Sequence, residues 1–249
     1  MGSVPVAVVT GAAGSIGRAL VRHLTEAGYA VAGLDLPAAC ENDPALIPCD
    51  ITRPDEVQTA VATVLDRHGR IDVLVNNAGI SAIGRFEDHG VETHRRVMEV
   101  NYLGAVACTQ AALPSLRRTG GRVVTISSVT GFAPVLGRPA YVAAKHAVTG
   151  LFDALRPELA ADGVGVTLVH PTFVVGGMGE AADRSEGTDR ATTGEEITPD
   201  DVALAVVDAV ARGRDQVLVG RTAKLSWHLN RLAPRTYVRM MTRRLGGGR

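Results

Sequence analysis

The sequence predicts an α/β protein built on a doubly wound, mostly parallel sheet of seven strands. Seven short β-rich segments alternate with helical patterns along the chain, an order typical of parallel strands joined by crossover helices. With 249 residues, 46% of them hydrophobic, the chain can bury the core of one large domain. We assign residues 1–220 to this domain and residues 221–249 to a basic helical C-terminal extension.

The first third of the chain predicts a dinucleotide-binding edge. Its strands are predicted at residues 4–10, 28–35, 45–51 and 71–79. A glycine-rich turn, residues 11–17, follows the first strand and leads into a helical pattern, which is the setting in which backbone amides bind a pyrophosphate. The second strand ends at Asp35, 18 residues after Gly17, where a Rossmann-type fold carries the carboxylate that binds ribose hydroxyls. The alternative role for Asp35 is a turn cap.

The rest of the predicted domain continues the alternation. Strands are predicted at residues 121–128, 163–170 and 216–220, and helices at residues 91–118, about 140–162, and 199–212. The first of these helices contains Asn101, a poor helix former, which indicates either a buried hydrogen bond or a proton relay. Residues 176–196 hold six acidic residues and two arginines and break the periodicity, so we expect a mobile substrate lid or a disordered surface loop.

The candidate proton-transfer residues lie at the start of one predicted helix. Tyr141 and Lys145 are four residues apart, which places both side chains on one helical face. A tyrosine has an ordinary pKa of about 10. An ammonium one turn away favours the phenolate, so the pair can act as a general acid or base at a carbonyl or alcohol oxygen. Ser128, at the end of the preceding strand, can hydrogen-bond the same oxygen. Taken alone, the pair also suits an ordinary amphipathic helix.

Composition narrows the possible partners. Lys+Arg and Asp+Glu balance at 26 each, which argues against nucleic acid as the main partner. Three cysteines without metal-ligand spacing indicate reduced thiols, so we expect a cytoplasmic protein with no metal site. The chain opens directly on a strand, and no run of 18 apolar residues occurs, so we expect neither a signal peptide nor a membrane-spanning helix.

Together these motifs resemble the short-chain dehydrogenase/reductase family over residues 4–220. The resemblance rests on the glycine turn, the strand-end pairs Asp50-Ile51 and Asn76-Asn77, and the ordered set Asn101, Ser128, Tyr141 and Lys145. The thirteen-residue spacing to Tyr141 selects Ser128 over Ser127. Two departures are visible: Ser15 stands where the family usually has a glycine, which here is the neighbouring Gly14, and Gly176 replaces the threonine expected after the sixth strand.

The resemblance implies a role for each matching residue. Tyr141 would be the general acid/base, and Lys145 would lower its pKa and hold the nicotinamide ribose. Ser128 would orient the substrate oxygen, and Asn101 would position a relay water. The cofactor contacts would be Gly11, Ser15, Ile16, Gly17, Asp35, Asp50, Ile51, Asn77, Tyr141, Lys145 and Val174. Because the Asp35 charge repels a 2′-phosphate, NAD is favoured over NADP.

The implied reaction is hydride transfer between NAD and a secondary alcohol or ketone. Residues 129–136 are largely apolar and are expected to line the pocket, which favours a steroid- or lipid-like substrate. The alternatives are an NADPH-dependent ketoreductase of fatty-acid or polyketide type and a nucleotide-binding sensor without turnover. The resemblance also implies a homotetramer or homodimer, packed through the helices that begin near residues 91 and 140.

The basic tail is the part that the resemblance explains least. From Arg221 to the end, the chain carries eight Lys/Arg and no acid, with leucines at helical spacing and an interruption near Pro234. One hypothesis is a weak contact with an anionic membrane surface. The favoured hypothesis is structural: the leucines cover the pocket or a neighbouring subunit, and the basic face meets the acidic segment.

Overall fold

A computed structural model describes residues 4–176, 183–184 and 195–246 and shows seven parallel strands in one sheet. The strands are β1 (Val6–Thr10), β2 (Ala30–Asp35), β3 (Ile47–Pro48), β4 (Val73–Asn76), β6 (Arg122–Ile126), β7 (Gly165–Pro171) and β9 (Gln216–Val219). Their order, β3-β2-β1-β4-β6-β7-β9, reverses direction between β1 and β4. The predicted Rossmann-type fold is therefore confirmed, and every pair in this sheet is parallel.

Helices cover both faces of the sheet. They are α1 (Ser15–Glu26), α2 (Pro37–Cys40), α3 (Pro54–His68), α4 (Val91–Met98), α5 (Gly104–Thr119), α6 (Pro139–Ala160), α7 (Pro199–Arg212), α8 (Arg221–Leu232) and α9 (Pro234–Gly246). Successive residues of β1 alternate between two buried clusters, with Val6 and Val8 facing α3, α5 and α6, and Ala7 and Val9 facing α1 and α7. This alternation is the doubly wound arrangement that the sequence predicts.

Some predicted elements differ in extent. The third strand shrinks to two residues, and α3 follows it from Pro54, with Asp55 and Glu56 in its first turn. The helix predicted over residues 91–118 divides into α4 and α5, because a π-helical turn, Glu99–Leu103, lies between them. A small pair of strands, β5 (Ala82–Ile83) and β8 (Asp183–Arg184), was not predicted.

The acidic segment proposed as a lid lies largely outside the described residues. Of its sequence, the structure describes Gly176, the backbone of β8, and Glu195 and Glu196. Beyond it, the predicted helix over residues 199–212 is reproduced as α7, with a capping box between Thr198 and Asp201 at its start. No helix in the described part of the chain is long and apolar enough to cross a bilayer.

The C-terminal extension forms two helices, divided before Pro234 as predicted. Tyr237 and Met241 of α9 and Ala223 of α8 are buried together against Val129 and Ala133, which follow the end of β6. Asn230 extends this contact, since its side-chain amide donates to the Phe132 carbonyl oxygen at 2.7 Å. The inner faces of both helices therefore pack against the loop that follows Ser128.

Candidate active site

The glycine turn after β1 is shaped by close backbone approach. Gly11 has φ of 66°, in the left-handed region, and a Cβ there would lie 2.8 Å from Cα of Ala78. A Cβ on Gly17 would collide with the Gly11 carbonyl oxygen. Gly14 has φ of −68° and is the N-cap residue before α1. Ser15, which stands where the family usually has glycine, does not have a left-handed backbone either, so the serine side chain causes no strain there.

The turn opens into a cleft at the carboxyl ends of the strands. The cleft has a volume of about 700 Å³ and lies where the strand order reverses, which is where open α/β sheets bind ligands. It is lined by nine of the eleven residues assigned to the cofactor. These nine are Gly11, Ser15, Ile16, Gly17, Asp35, Asp50, Ile51, Asn77 and Lys145. Tyr141 and Val174 lie outside its lining, and Val174 pairs with Ile197 in a parallel bridge.

Asp35 both caps the glycine turn and faces the cleft. Its Oδ2 accepts a hydrogen bond from the Ala13 amide at 2.7 Å, and its Oδ1 accepts one from the Leu36 amide at 2.8 Å. Asp35 therefore has the capping role, and each of its carboxylate oxygens keeps a further lone pair that a ligand in the cleft can use. Arg18, one turn into α1, is exposed and donates to the Ala13 carbonyl oxygen at 2.7 Å.

Asn77 joins the two strands at the reversal point. Its side-chain amide donates to the carbonyl oxygens of Thr10 at 2.9 Å and Gly11 at 3.1 Å, and its backbone amide donates to the Thr10 hydroxyl at 3.0 Å. Asn77 therefore holds the glycine turn from the β4 side. The neighbouring Asn76 points into the core, where its amide donates to the Thr109 hydroxyl.

Tyr141 is buried near the start of α6. Burial raises the pKa of Tyr141 to about 12, and the positive charge of Arg138 and a side-chain hydrogen bond with Ser128 oppose this rise. From the four-residue spacing, we expected Lys145 to be the group that lowers the pKa of Tyr141. Instead, the Lys145 Nζ lies 5.6 Å from the centre of the tyrosine ring and donates to the Ile126 carbonyl oxygen at 2.8 Å. Arg138, to which the sequence assigned no role, is thus the positive charge that acts on Tyr141.

Lys145 lines the cleft with a buried amine. Its side chain is only 3% exposed, and this burial lowers its pKa to about 8. One of the three ammonium hydrogens is used by the Ile126 carbonyl oxygen, which leaves two for a ligand in the cleft. The Lys145 ammonium therefore lies against the end of β6, two residues before Ser128.

The two adjacent serines face different surroundings. Ser127 is buried, and its hydroxyl is hydrogen-bonded to the Thr149 hydroxyl at 2.8 Å, so it joins β6 to α6. Ser128 begins a 3₁₀ turn, Val129–Gly131, where its Oγ accepts from the Thr130 amide at 3.1 Å. Because Ser128 also hydrogen-bonds Tyr141, the geometry favours Ser128 as the serine near the reacting oxygen.

Asn101 lies in the π-helical turn between α4 and α5. Its amide donates to the carbonyl oxygens of Ile80 at 2.8 Å and Val97 at 2.9 Å. A π-helical turn breaks the regular hydrogen-bond ladder and can expose a backbone group at a functional site. The side-chain Oδ1 is buried and accepts no hydrogen bond from the described residues. Sequence reasoning had found the helix-disfavouring residue, but not the change of helix type.

The segment expected to line the substrate pocket packs largely against the C-terminal extension. Within residues 129–136, Val129, Phe132, Ala133 and Val135 pack against α8 and α9 and are not part of the lining of the dinucleotide cleft. The physical reason is that the C-terminal helices supply the larger apolar surface for these side chains to bury. Leu136, which is 50% exposed, is the apolar member left at the surface.

His170, at the end of β7, connects Ser128 to α8. It is fully buried, and its Nδ1 is hydrogen-bonded to the Ser128 carbonyl oxygen at 3.0 Å. Its ring meets Phe132 edge-on with centroids 5.2 Å apart, and Phe132 in turn meets Trp227 of α8 at 4.8 Å. Burial lowers the pKa of His170, which favours the neutral ring. Among the described residues, no cluster of His, Cys, Asp and Glu is arranged to hold a metal ion.

Comparison with known proteins gives consistent matches. A family model described as short chain dehydrogenase matches residues 5–187. The "Dehydrogenase/reductase SDR family protein 7-like" of Anopheles gambiae is 35% identical, over 96% of this chain and 82% of that protein.

Two solved structures resemble the whole chain. A short-chain dehydrogenase from Streptomyces avermitilis has a TM-score of 0.85 and 29% identity, and the match covers 100% of both chains. A short chain dehydrogenase from Burkholderia cenocepacia, solved in complex with NADP, has a TM-score of 0.83 and 27% identity over 96% of this chain and 98% of that one.

Proposed function

The chain belongs to the short-chain dehydrogenase/reductase family and is a nicotinamide-dependent oxidoreductase, and from this premise we propose that it interconverts a secondary alcohol and a ketone with NAD. The observation that carries the proposal is the convergence of Ser128, Tyr141 and Lys145 beside the cleft that Asp35 borders. This arrangement combines a proton donor, a hydrogen-bond partner and a cofactor-sized site.

The cleft fits a dinucleotide. Gly11 and Gly17 leave no room for a Cβ, which lets backbone amides reach a pyrophosphate at the start of α1. We assign Asp35 to the adenosine ribose, Asp50 and Ile51 to the adenine edge, and Lys145 to the nicotinamide ribose. The bound nicotinamide supplies or accepts the hydride.

The protein's own residues manage the proton. In ketone reduction, the Tyr141 hydroxyl gives its proton to the substrate oxygen; in alcohol oxidation, the phenolate takes it back. The Ser128 hydroxyl donates a hydrogen bond to the same oxygen and so fixes the carbon that exchanges hydride. Asn101, at its break in the helix, is assigned to hold a water in the relay that returns protons to Tyr141.

We propose an apolar substrate. The loop before α6 and the loop after β7 meet where the Arg138 guanidinium lies over the Phe173 ring at 5.6 Å. These two loops carry Leu136 and Val175, each 50% exposed. Exposed aliphatic side chains beside a catalytic group suit a hydrocarbon surface, because its transfer from water is favourable.

Cofactor preference rests on Asp35 and Arg18. A carboxylate at the ribose position accepts hydrogen bonds from the 2′- and 3′-hydroxyls of NAD and repels the 2′-phosphate of NADP. The neighbour from Burkholderia cenocepacia was solved with NADP, so the same fold also accommodates the 2′-phosphate. The exposed Arg18 beside Ala13 is the nearby positive charge that can weaken the discrimination.

The test is a steady-state assay of the purified protein with NAD or NADP and a panel of cyclic and aliphatic secondary alcohols. We expect turnover that increases with substrate apolarity and a kcat/KM that favours NAD by tenfold or more, about 1.4 kcal/mol. Cofactor binding by calorimetry without turnover on any alcohol would identify a sensor. A preference for NADPH and acyl-thioester ketones would favour the ketoreductase alternative.

We also propose a homo-oligomer in a reducing compartment, the cytoplasm. Val91 and Leu103, at 74% and 51% exposed, offer apolar surface on the helices assigned to subunit contacts. Cys40, Cys49 and Cys108 are free, and burial raises the pKa of Cys49 to about 11 and that of Cys108 to about 12, which keeps both as thiols. Light scattering at micromolar concentration and a thiol titration without reductant test the two statements separately.

A further inference from the structure

Helix α8 carries leucines on both its inner and its outer side. Leu229 packs against the buried cluster that holds Tyr237 and Met241, whereas Leu225 and Leu232 are 64% and 83% exposed. A leucine that served the core of its own subunit would be buried. The structure therefore contradicts the favoured hypothesis where it has Leu225 and Leu232 cover the pocket, and leaves these two side chains for a partner.

The exposed residues of α8 share one face. At 100° per residue they fall within an arc of about 120°. They are Arg221, Lys224, Leu225, His228, Arg231 and Leu232, and their burial classes agree with this placement. Helix α9 continues the pattern with Arg235, Val238 and Arg239, all exposed. We call the α8 set the basic–leucine face.

Among the described residues, the positive charges of this face have no carboxylate partner. No ion pair joins a carboxylate of the described residues to Arg221, Lys224 or Arg231, and Arg231 lies over the Trp227 ring at 4.8 Å. No acidic residue occurs after Asp215, so the whole extension carries positive charge only. The cations and the exposed leucines therefore share one surface that a single partner can contact.

We propose that the basic–leucine face binds an anionic lipid surface. Helices that lie in a membrane interface combine Lys/Arg with large apolar side chains in this way, since the cations meet headgroups while the leucines enter the acyl boundary. A second copy of the chain fits less well, because a two-fold contact would bring the same positive face against itself. The proposal goes beyond the dehydrogenase activity and does not depend on it.

The inner side of α8 packs against the loop that follows Ser128. Trp227 and Asn230 hold Phe132, which lies four residues after Ser128. A protein bound through the basic–leucine face would thus place the Ser128 loop close to the lipid, where an apolar substrate is concentrated.

The test is co-sedimentation of the full-length protein with vesicles of phosphatidylcholine alone or of phosphatidylcholine with phosphatidylserine. We expect binding to the anionic vesicles only, weakened by added salt. Each Lys or Arg near such a surface contributes a factor of roughly five in affinity. The double variant Lys224→Gln/Arg231→Gln should therefore bind roughly twenty-five-fold more weakly.

A second double variant distinguishes binding to a lipid surface from binding to other polyanions. Leu225→Ala/Leu232→Ala should weaken vesicle binding at least severalfold, because the removed methylenes enter the acyl boundary. Arg118→Gln and Leu204→Ala, exposed positions on α5 and α7, are matched controls and should bind like the wild type. All four variants should keep the wild-type unfolding midpoint, since the changed side chains are exposed.

Three outcomes would overturn the proposal. The first is no binding to anionic vesicles, and the second is equal binding to neutral ones. The third is a leucine double variant that changes the molar mass by light scattering while leaving vesicle binding intact, which would identify a subunit contact.

Discussion

The glycine turn at one side of the cleft, residues 10–17, and the proposed catalytic group beside the cleft, Ser128, Tyr141 and Lys145, reach their geometry by different physical means. In the glycine turn, absent side chains and backbone hydrogen bonds define the shape: Gly11 and Gly17 exclude a Cβ, and Asp35 and Asn77 hold the turn. In the proposed catalytic group, burial shifts two pKa values in opposite directions. It raises the pKa of Tyr141 to about 12 and lowers the pKa of Lys145 to about 8.

Because of this difference, the two regions should be sensitive to different kinds of substitution. A steric site fails when an atom is added, because the backbone has no room to move. An electrostatic site fails when a charge or proton is removed, while the packing around it persists. Substitutions in the two regions should therefore separate binding from chemistry.

The largest effect is expected from Tyr141→Phe. The change removes one oxygen and keeps the ring that fills the buried site, so kcat should fall by about 10²–10⁴-fold while NAD still binds. Steady-state rates and calorimetric NAD affinity measure the two quantities. Tyr29→Phe, near the opposite edge of the sheet, is the matched control. Near-normal kcat in the Tyr141 variant would remove this residue from the mechanism.

The next effect is expected at the glycine turn. Gly17→Ala forces its Cβ against the Gly11 carbonyl oxygen, which should cost about 1–3 kcal/mol, or roughly fivefold to 150-fold in NAD affinity. Gly14→Ala is the control, because a Cβ there has its nearest neighbour at 3.4 Å and the backbone φ is ordinary. Equal losses in both variants would contradict the steric account.

A smaller effect is expected at Asp35. Asp35→Asn removes the negative charge but keeps an acceptor oxygen for the Ala13 amide. The ratio of kcat/KM for NAD to that for NADP should fall about tenfold, or about 1.4 kcal/mol. Asp43→Asn, an exposed carboxylate outside the cleft lining, should leave the ratio unchanged. An unaltered ratio in Asp35→Asn would show that another group selects the cofactor.

The smallest effect concerns Arg138 and pH. Its positive charge opposes the upward shift of the Tyr141 pKa, so Arg138→Gln should raise that pKa further. In alcohol oxidation the phenolate is the base; its fraction at a fixed pH below the pKa falls tenfold for each unit of increase. The ascending, low-pH limb of the kcat/KM profile for alcohol oxidation should therefore move to higher pH, and Arg138→Lys should restore most of its position. A profile that does not move would limit Arg138 to packing against Phe173.

Much of the fold and of the candidate site was predictable because it depends on local chemistry. The glycine turn, the acid at the end of β2 and the Tyr141–Lys145 spacing each specify a local geometry, and strand–helix alternation specifies a parallel sheet. The helix at residues 199–212 was predicted to the residue, because Thr198 and Gly213 bound it with clear end signals.

Other features were decided only by the tertiary structure. The π-helical turn at Asn101 depends on carbonyl oxygens of Ile80 and Val97, and Ile80 is distant in sequence. The loop from Val129 to Val135 buries its apolar side chains against helices roughly a hundred residues later, which no local pattern indicates. For α8, periodicity established that leucines and cations recur, but not which face meets the body. Burial is a property of the assembled surface, so packing against Phe132 and Ala133 decided that Leu225 and Leu232 face outward.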